Sequence, residues 1–190
     1  MIKLKTLILS FFMTGVICSN YKSQTIALNT PLLEIPPNAY KKDLNNELES
    51  YTGIYKANFQ SKEITLYITK IEHVLQKSSR KNYYSDILDI KYIIKNVNGS
   101  VLQDTKNDIN SKIKFFSIQT RPTLNTIIFF YSGTNCNVGW GDIFLKKISP
   151  TQISWEYHPD DIILDESRCP QGADINIYLP ETKDLIFTKQ

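Results

Sequence analysis

Cys136, Cys169, His73 and His158 are the residues beyond position 18 best suited to do chemistry by type alone. Two thiols can bridge, hold a metal or supply a nucleophile. The last two uses need close partners, and His73 and His158 are the only histidines and stand isolated in sequence. A disulfide is therefore the favoured pairing, with a metal or nucleophile pair as the competing reading. A Cys136–Cys169 bridge would span 33 positions, and in the chain-entropy model such a loop closure is worth roughly 3 to 4 kcal/mol.

Carboxylates are the next candidates. Asp160, Asp161, Asp165 and Glu166 surround Ile162-Ile163-Leu164. Hard oxygen ligands of this kind suit calcium, but the alternating Asp spacing and the glycine of an EF-hand loop are missing. A solvated loop beside the disulfide is the expected use of the segment. A glycosidase needs two carboxylates held about 5 to 9.5 Å apart across a cleft, an arrangement that sequence spacing does not reveal. Other site types fail on named residues. Gly139-Trp140-Gly141 lacks the length and the Lys-Ser/Thr of a phosphate loop. The chain has neither a Gly-x-Ser-x-Gly elbow nor His-Glu-x-x-His. No motif implies a cofactor or a metal. The remaining hint is aromatic: Tyr83, Tyr84, Trp140, Trp155 and Tyr157 fall at strand ends or on strand faces. Facing a barrel interior they could line a pocket, although filling a core is the commoner use of such rings.

The elements that must position these residues are mostly strands. Aliphatic residues alternate with others in Glu63–Thr69, Leu88–Ile94 and Ile153–Tyr157, the period-two pattern of half-buried strands. Thr126–Tyr131 is continuously apolar, as in a strand covered on both faces. Asn98-Gly99 between two strand-like runs predicts a two-residue hairpin turn; the same residues with Ser100 form a glycosylation sequon, which the hairpin explains without a glycan. Further strands are expected at Ile113–Gln119, Asp142–Ile148, Ile175–Leu179 and Leu185–Thr188. Tyr40, Leu44, Leu48 and Tyr51 repeat at helical spacing and predict one short N-terminal helix. The fold class is mainly β: an antiparallel meander closing as a lipocalin-like barrel, with a two-sheet β-sandwich as the alternative.

Ahead of this domain the chain reads as an export signal. Lys3 and Lys5 precede an apolar run from Leu7 to Cys18 that is too short to span a bilayer. Residues 1–18 are the expected signal, with cleavage as late as 23. Residues 19–38 form a flexible lead-in ending in Pro36-Pro37, and 39–190 one β-rich domain. Cys18 occupies the position of a lipoprotein cysteine, but the bulky Ile17 before it favours ordinary secretion. Removing Lys3 and Lys5 leaves 20 basic against 19 acidic residues, a formal +1. So slight a balance offers no footprint for nucleic acid. Membrane association would depend on lipidation at Cys18.

Several stretches together carry a resemblance. They are Tyr51-Thr52-Gly53-Ile54-Tyr55, Asn82–Leu88, the Asn98-Gly99 hairpin, Cys136…Gly141–Leu145, Trp155-Glu156-Tyr157 and Cys169-Pro170…Ile177–Pro180…Leu185–Lys189. Over nearly its whole length the chain is similar to a family of small secreted proteins from flavobacteria, Chryseobacterium among them, whose function is unknown. The resemblance implies an exported β-rich protein, adds weight to pairing Cys136 with Cys169, and supplies no catalytic residues. Ser23 departs from it, standing where Ala would precede the first mature Gln. The expected function is a non-enzymatic binding or interaction module, periplasmic or secreted, for a small ligand or a protein. The alternatives are a carbohydrate-active hydrolase with paired carboxylates and an inhibitor or immunity-type protein.

Overall fold

A computed structural model describes residues 24–78, 81–164 and 169–190. The signal segment and Cys18 lie outside the described residues, as do Asp165 and Glu166. Eleven strands follow one another: β1 (Thr25–Ala27), β2 (Tyr40–Lys42), β3 (Gly53–Phe59), β4 (Lys62–Lys77), β5 (Asn82–Asn96) and β6 (Val101–Asp104). Then come β7 (Phe115–Arg121), β8 (Thr126–Tyr131), β9 (Gly141–Ser149), β10 (Gln152–Tyr157) and β11 (Thr182–Lys189). Eight of them, β3-β4-β5-β7-β8-β9-β10-β11, pair antiparallel in that order. The ring closes where Thr188 and Lys189 of β11 meet Lys56 and Tyr55 of β3, and Asp89 of β5 meets Phe116 of β7. The expected barrel thus forms rather than the sandwich, and closure removes the edges a sandwich would leave.

Side chains alternate across the wall. Ile64, Leu66 and Ile68 of β4 point in, as do Leu88, Ile90, Tyr92 and Ile94 of β5 and Ile127, Phe129 and Tyr131 of β8. Tyr55, Tyr92, Phe115, Phe129, Tyr131, Trp155, Tyr157 and Phe187 occupy the interior, all fully buried. Rings meet edge to face, with centroids 5.6 Å apart for Phe115–Phe129, 6.0 Å for Phe115–Trp155 and 5.9 Å for Tyr131–Tyr157. This is the favoured geometry for aromatic pairs.

The strands β4 and β5 run past the barrel as a two-stranded arm. A bulge between Ile71 and Val74, centred on the left-handed His73 (φ 55°), marks where it begins. The lead-in is ordered against this arm: β1 pairs parallel with β2, and β2 parallel with β5. The expected flexible lead-in is therefore structured from Gln24 onward.

The predicted helix over Tyr40–Tyr51 does not form. After β2 the Asp43 carboxylate accepts the backbone N–H groups of Glu47 at 2.7 Å and Leu48 at 3.2 Å, and Asn46 takes a left-handed φ of 56°. Asp and Asn compete with helical hydrogen bonding in this way. The segment ends instead in a single 3₁₀ turn at Glu49–Tyr51 and seals the base of the barrel with Leu48 and Tyr51.

Two further expectations change. Ile175–Leu179 is not a strand, because Asp174 folds the backbone into a turn by accepting the N–H of Asn176. The hairpin at Asn98-Gly99 has a longer loop: Asn96 N–H donates to the Ser100 carbonyl, and only Gly99 has positive φ, 78°. That is a three-residue loop with glycine at its left-handed position.

Candidate functional site: a polar groove at the disulfide end

The barrel ends differ. The base is closed by residues 43–52. The other end gathers the long connections after β6, after β8 and after β10, which leave a groove of about 770 Å³ between them. Its walls include Asp104, Asp108, Asn110, Lys112, Asn135 and Asp174. Cys136 and Cys169 are joined as a disulfide with Cα atoms 5.3 Å apart, which pins the β8–β9 loop to the chain before β11. A second tie runs alongside it, Asn135 Nδ2 donating to the Asp174 carbonyl at 2.8 Å. The β8–β9 loop also folds on itself, Thr134 N–H donating to the Val138 carbonyl at 2.8 Å. Gly133 is required there: its φ is 81°, and a Cβ would come within 2.6 Å of the Asn137 backbone.

A hydrogen-bonded file connects the groove to the core. Thr134 Oγ1 accepts Gln103 Nε2 at 2.9 Å, Gln103 Oε1 accepts the Tyr92 hydroxyl at 2.8 Å, and Tyr92 lies 3.1 Å from the Tyr131 hydroxyl. Burial pushes the Tyr131 phenol up to about 12 and Tyr92 further in the same direction. Both are neutral donors and acceptors at physiological pH, and Tyr92 anchors Gln103, which together with Thr134 lines the groove.

The groove carboxylates are built into turns. Asp104 accepts the N–H groups of Lys106 and Asn107 and the Asn107 amide, each at 2.8 Å. Although burial raises its pKa, these bonds outweigh that effect and hold the group below its ordinary value. The N–H of Asn176, followed by the Tyr178 hydroxyl, holds Asp174 low as well. Asp108 accepts the N–H of Asn110 at 2.9 Å. A general acid needs a carboxyl raised toward neutrality, the reverse of what Asp104 and Asp174 experience. The groove is consequently suited to holding a partner by fixed negative charge and amide groups.

The five aromatic residues do not share a pocket. Trp155 and Tyr157 belong to the buried core, where Trp155 Nε1 donates to the Pro180 carbonyl at 2.8 Å and the Tyr157 hydroxyl donates to Gly139. Tyr83 packs with Ile35 and Ala39 beside the arm. Tyr84 stacks on His73 with ring centroids 4.2 Å apart. Trp140 is half exposed outside the barrel, its Nε1 donating to the Asp161 carbonyl at 3.3 Å. His158 is exposed, 3.8 Å from Glu156. The loop at Asp160–Leu164 is solvated, with Ile163 95% exposed.

The groove itself had no signal in sequence, since its walls are loop residues without period. Asp86 did have one, being a carboxylate in the same alternating register as the apolar Leu88, Ile90, Tyr92 and Ile94; it organises the joint of barrel and arm. Among the described residues no group of three or more His, Cys, Asp or Glu could hold a metal ion, and no helix is long and apolar enough to cross a membrane. No family model, curated protein or solved structure matches the chain.

Proposed function

We propose that the chain is an exported, non-enzymatic binding module that engages a polar, positively charged partner in the disulfide-end groove. The observation carrying this reading is the pairing of an interior occupied by buried aromatic side chains with an open groove at one end. With bulky aromatic side chains occupying the interior, recognition is assigned to the rim. There three carboxylates stand against Lys112, and charge complementarity of this kind governs encounter and specificity. Export is supported by the disulfide, which persists in oxidising compartments, and by the apolar N-terminal run ahead of the domain. Lipid anchoring would require acylation at Cys18.

Calorimetric titration with a short oligolysine peptide, and with an oligoglutamate peptide as control, tests the charge preference. Asn110 is exposed in the groove wall, so Asn110→Trp fills the site without entering the core. Binding of the basic peptide that weakens at least about tenfold in Asn110→Trp supports the reading. Equal binding of both peptides, or indifference to the substitution, overturns it.

The paired-carboxylate alternative has one observation in its favour. Burial and then the neighbouring Asp160 raise the carboxyl of Asp142, on the outer face of β9, against the opposing pull of Arg121. A hydrolase working there would cleave a bacterial polysaccharide and lose that activity in Asp142→Asn. Absence of cleavage by the intact protein removes this reading.

A further inference from the structure

We infer a second site, at the base of the barrel, for a small zwitterion of the free α-amino acid class held between Glu47 and Lys147. A cavity of about 200 Å³ opens there, lined by Glu47, Tyr51, Thr120, Asn125, Ile127 and Lys147 among others. It is smaller than the pockets of roughly 300 to 1,000 Å³ that take drug-sized ligands, yet well above the roughly 10 to 15 Å³ that a single water needs.

Two polar atoms of its lining residues, Glu47 Oε2 and Thr120 Oγ1, are left unsatisfied. Among the described residues three buried side-chain atoms lack a partner: Glu47 Oε2, Thr120 Oγ1 and the Tyr55 hydroxyl. Two of the three, Glu47 Oε2 and Thr120 Oγ1, belong to residues lining this cavity, and Thr120 also borders a small void beside Leu28, Leu48 and Ser117. Thr120 is only 4% exposed. Buried polar atoms in native proteins almost always have partners, so orphans gathered at one cavity point to a missing occupant.

The charges specify which occupant. The Glu47 carboxylate oxygen can only accept, so the occupant must donate to it. Lys147 donates to the Ser50 carbonyl and has further protons to offer. Its ammonium lies 5.4 Å from the Tyr51 ring centre. Glu47 and Lys147 line the same cavity but form no ion pair with one another. A simple cation at Glu47 would face Lys147, whose pKa is lowered by burial and then by the charge of Lys189. A simple anion at Lys147 would face Glu47. A molecule with an ammonium at one end and a carboxylate at the other answers both. Ile127 and Pro122 offer apolar wall for a short side chain.

The test is calorimetric titration of the intact protein with glycine, alanine, serine and leucine, beside methylammonium and acetate as half-molecules. At least one amino acid should bind, both half-molecules at least about tenfold more weakly. Glu47→Gln and Lys147→Met should each weaken it to a similar degree. Thr120→Val, nearly isosteric, should weaken binding while leaving the melting temperature unchanged or higher, because it removes an orphan hydroxyl. That variant carries the test if a charge variant fails to fold. No amino-acid binding at millimolar concentration, half-molecules binding equally well, or affinity indifferent to Thr120→Val and either charge substitution overturns the proposal and leaves a hydrated crevice.

Discussion

The hydroxyl of Tyr40 donates to Asp86 Oδ1 at 2.5 Å, tying the ordered lead-in to the strand that forms both barrel wall and arm. The same carboxylate accepts the N–H of His73 at 3.0 Å, from the bulge where the arm begins, and that of Asp43 at 2.9 Å. Asp43 in turn pairs with Lys70 at 2.9 Å with no exposure of its own side chain. Three stretches remote in sequence therefore meet on two carboxylates, and the plug at the base is hung from this joint.

Removing the joint should loosen the plug before the barrel. Tyr40→Phe deletes one charge-assisted hydrogen bond and should cost about 1 to 3 kcal/mol. Asp86→Ala leaves several donors unpaired and should cost more. Chemical denaturation gives the magnitudes, and amide exchange should quicken first in residues 40–52. Unchanged exchange there would contradict the role given to Asp86.

The pH dependence of that contribution has a definite sign. Burial raises Asp86, but Tyr40, the N–H groups of Asp43 and His73, and Lys70 together bring it below its ordinary value. A carboxylate depressed in the fold stabilises fully above its unfolded pKa of about 3.9 and loses that contribution as pH falls through the folded value. The parent should therefore lose more stability than Asp86→Asn on acidification below about pH 4. Parallel acid limbs for the two proteins would refute this.

Lys41 predicts a change on the alkaline side. It is fully buried, its Nζ donating to the Ile118 carbonyl at 2.8 Å, and burial lowers its pKa to about 8. The ammonium is the disfavoured form in the fold. Stability assignable to Lys41 should rise as pH climbs from about 8 toward its unfolded value near 10.4. The difference between parent and Lys41→Met, measured below pH ~10 where exposed tyrosines begin to ionise, should show this rise. A flat difference would mean that the amine keeps its charge at no cost.

The disulfide should matter most at the groove. Cys136→Ser with Cys169→Ser opens a loop spanning 33 positions and should cost roughly 3 to 4 kcal/mol. Because Asn135 and Asp174 retain their tie, the barrel should still fold, while amides of residues 132–138 and 170–176 exchange faster. A melting temperature unaffected by the double substitution would show that the loops are held by other contacts.

Strand identity was legible wherever one face is buried, because alternation reports the barrel wall directly: Glu63–Thr69, Leu88–Ile94 and Ile153–Tyr157 all lie in strands. The pairing of Cys136 with Cys169 was legible from their number and from the isolation of the histidines. The helix was misread because Leu48 and Tyr51, spaced like a helix stripe, reach the core from an irregular plug. Asp43, Asn45 and Asn46 were the contrary signal. Ile175–Leu179 has the alternation of a strand but is held off the sheet by the Asp174 turn and the nearby disulfide. The groove and the basal cavity draw residues from loops far apart in sequence, which no periodicity can bring together.

Whether recognition occurs at the disulfide-end groove or inside the barrel is decided by amide chemical-shift mapping. Isotope-labelled protein would be titrated with the oligolysine peptide. Perturbations should concentrate in residues 102–113, 132–137 and 170–174 and be lost in Asn110→Trp. Perturbations centred on the core residues Tyr92, Tyr131 and Trp155, or spread evenly over the barrel's outer face, would contradict it.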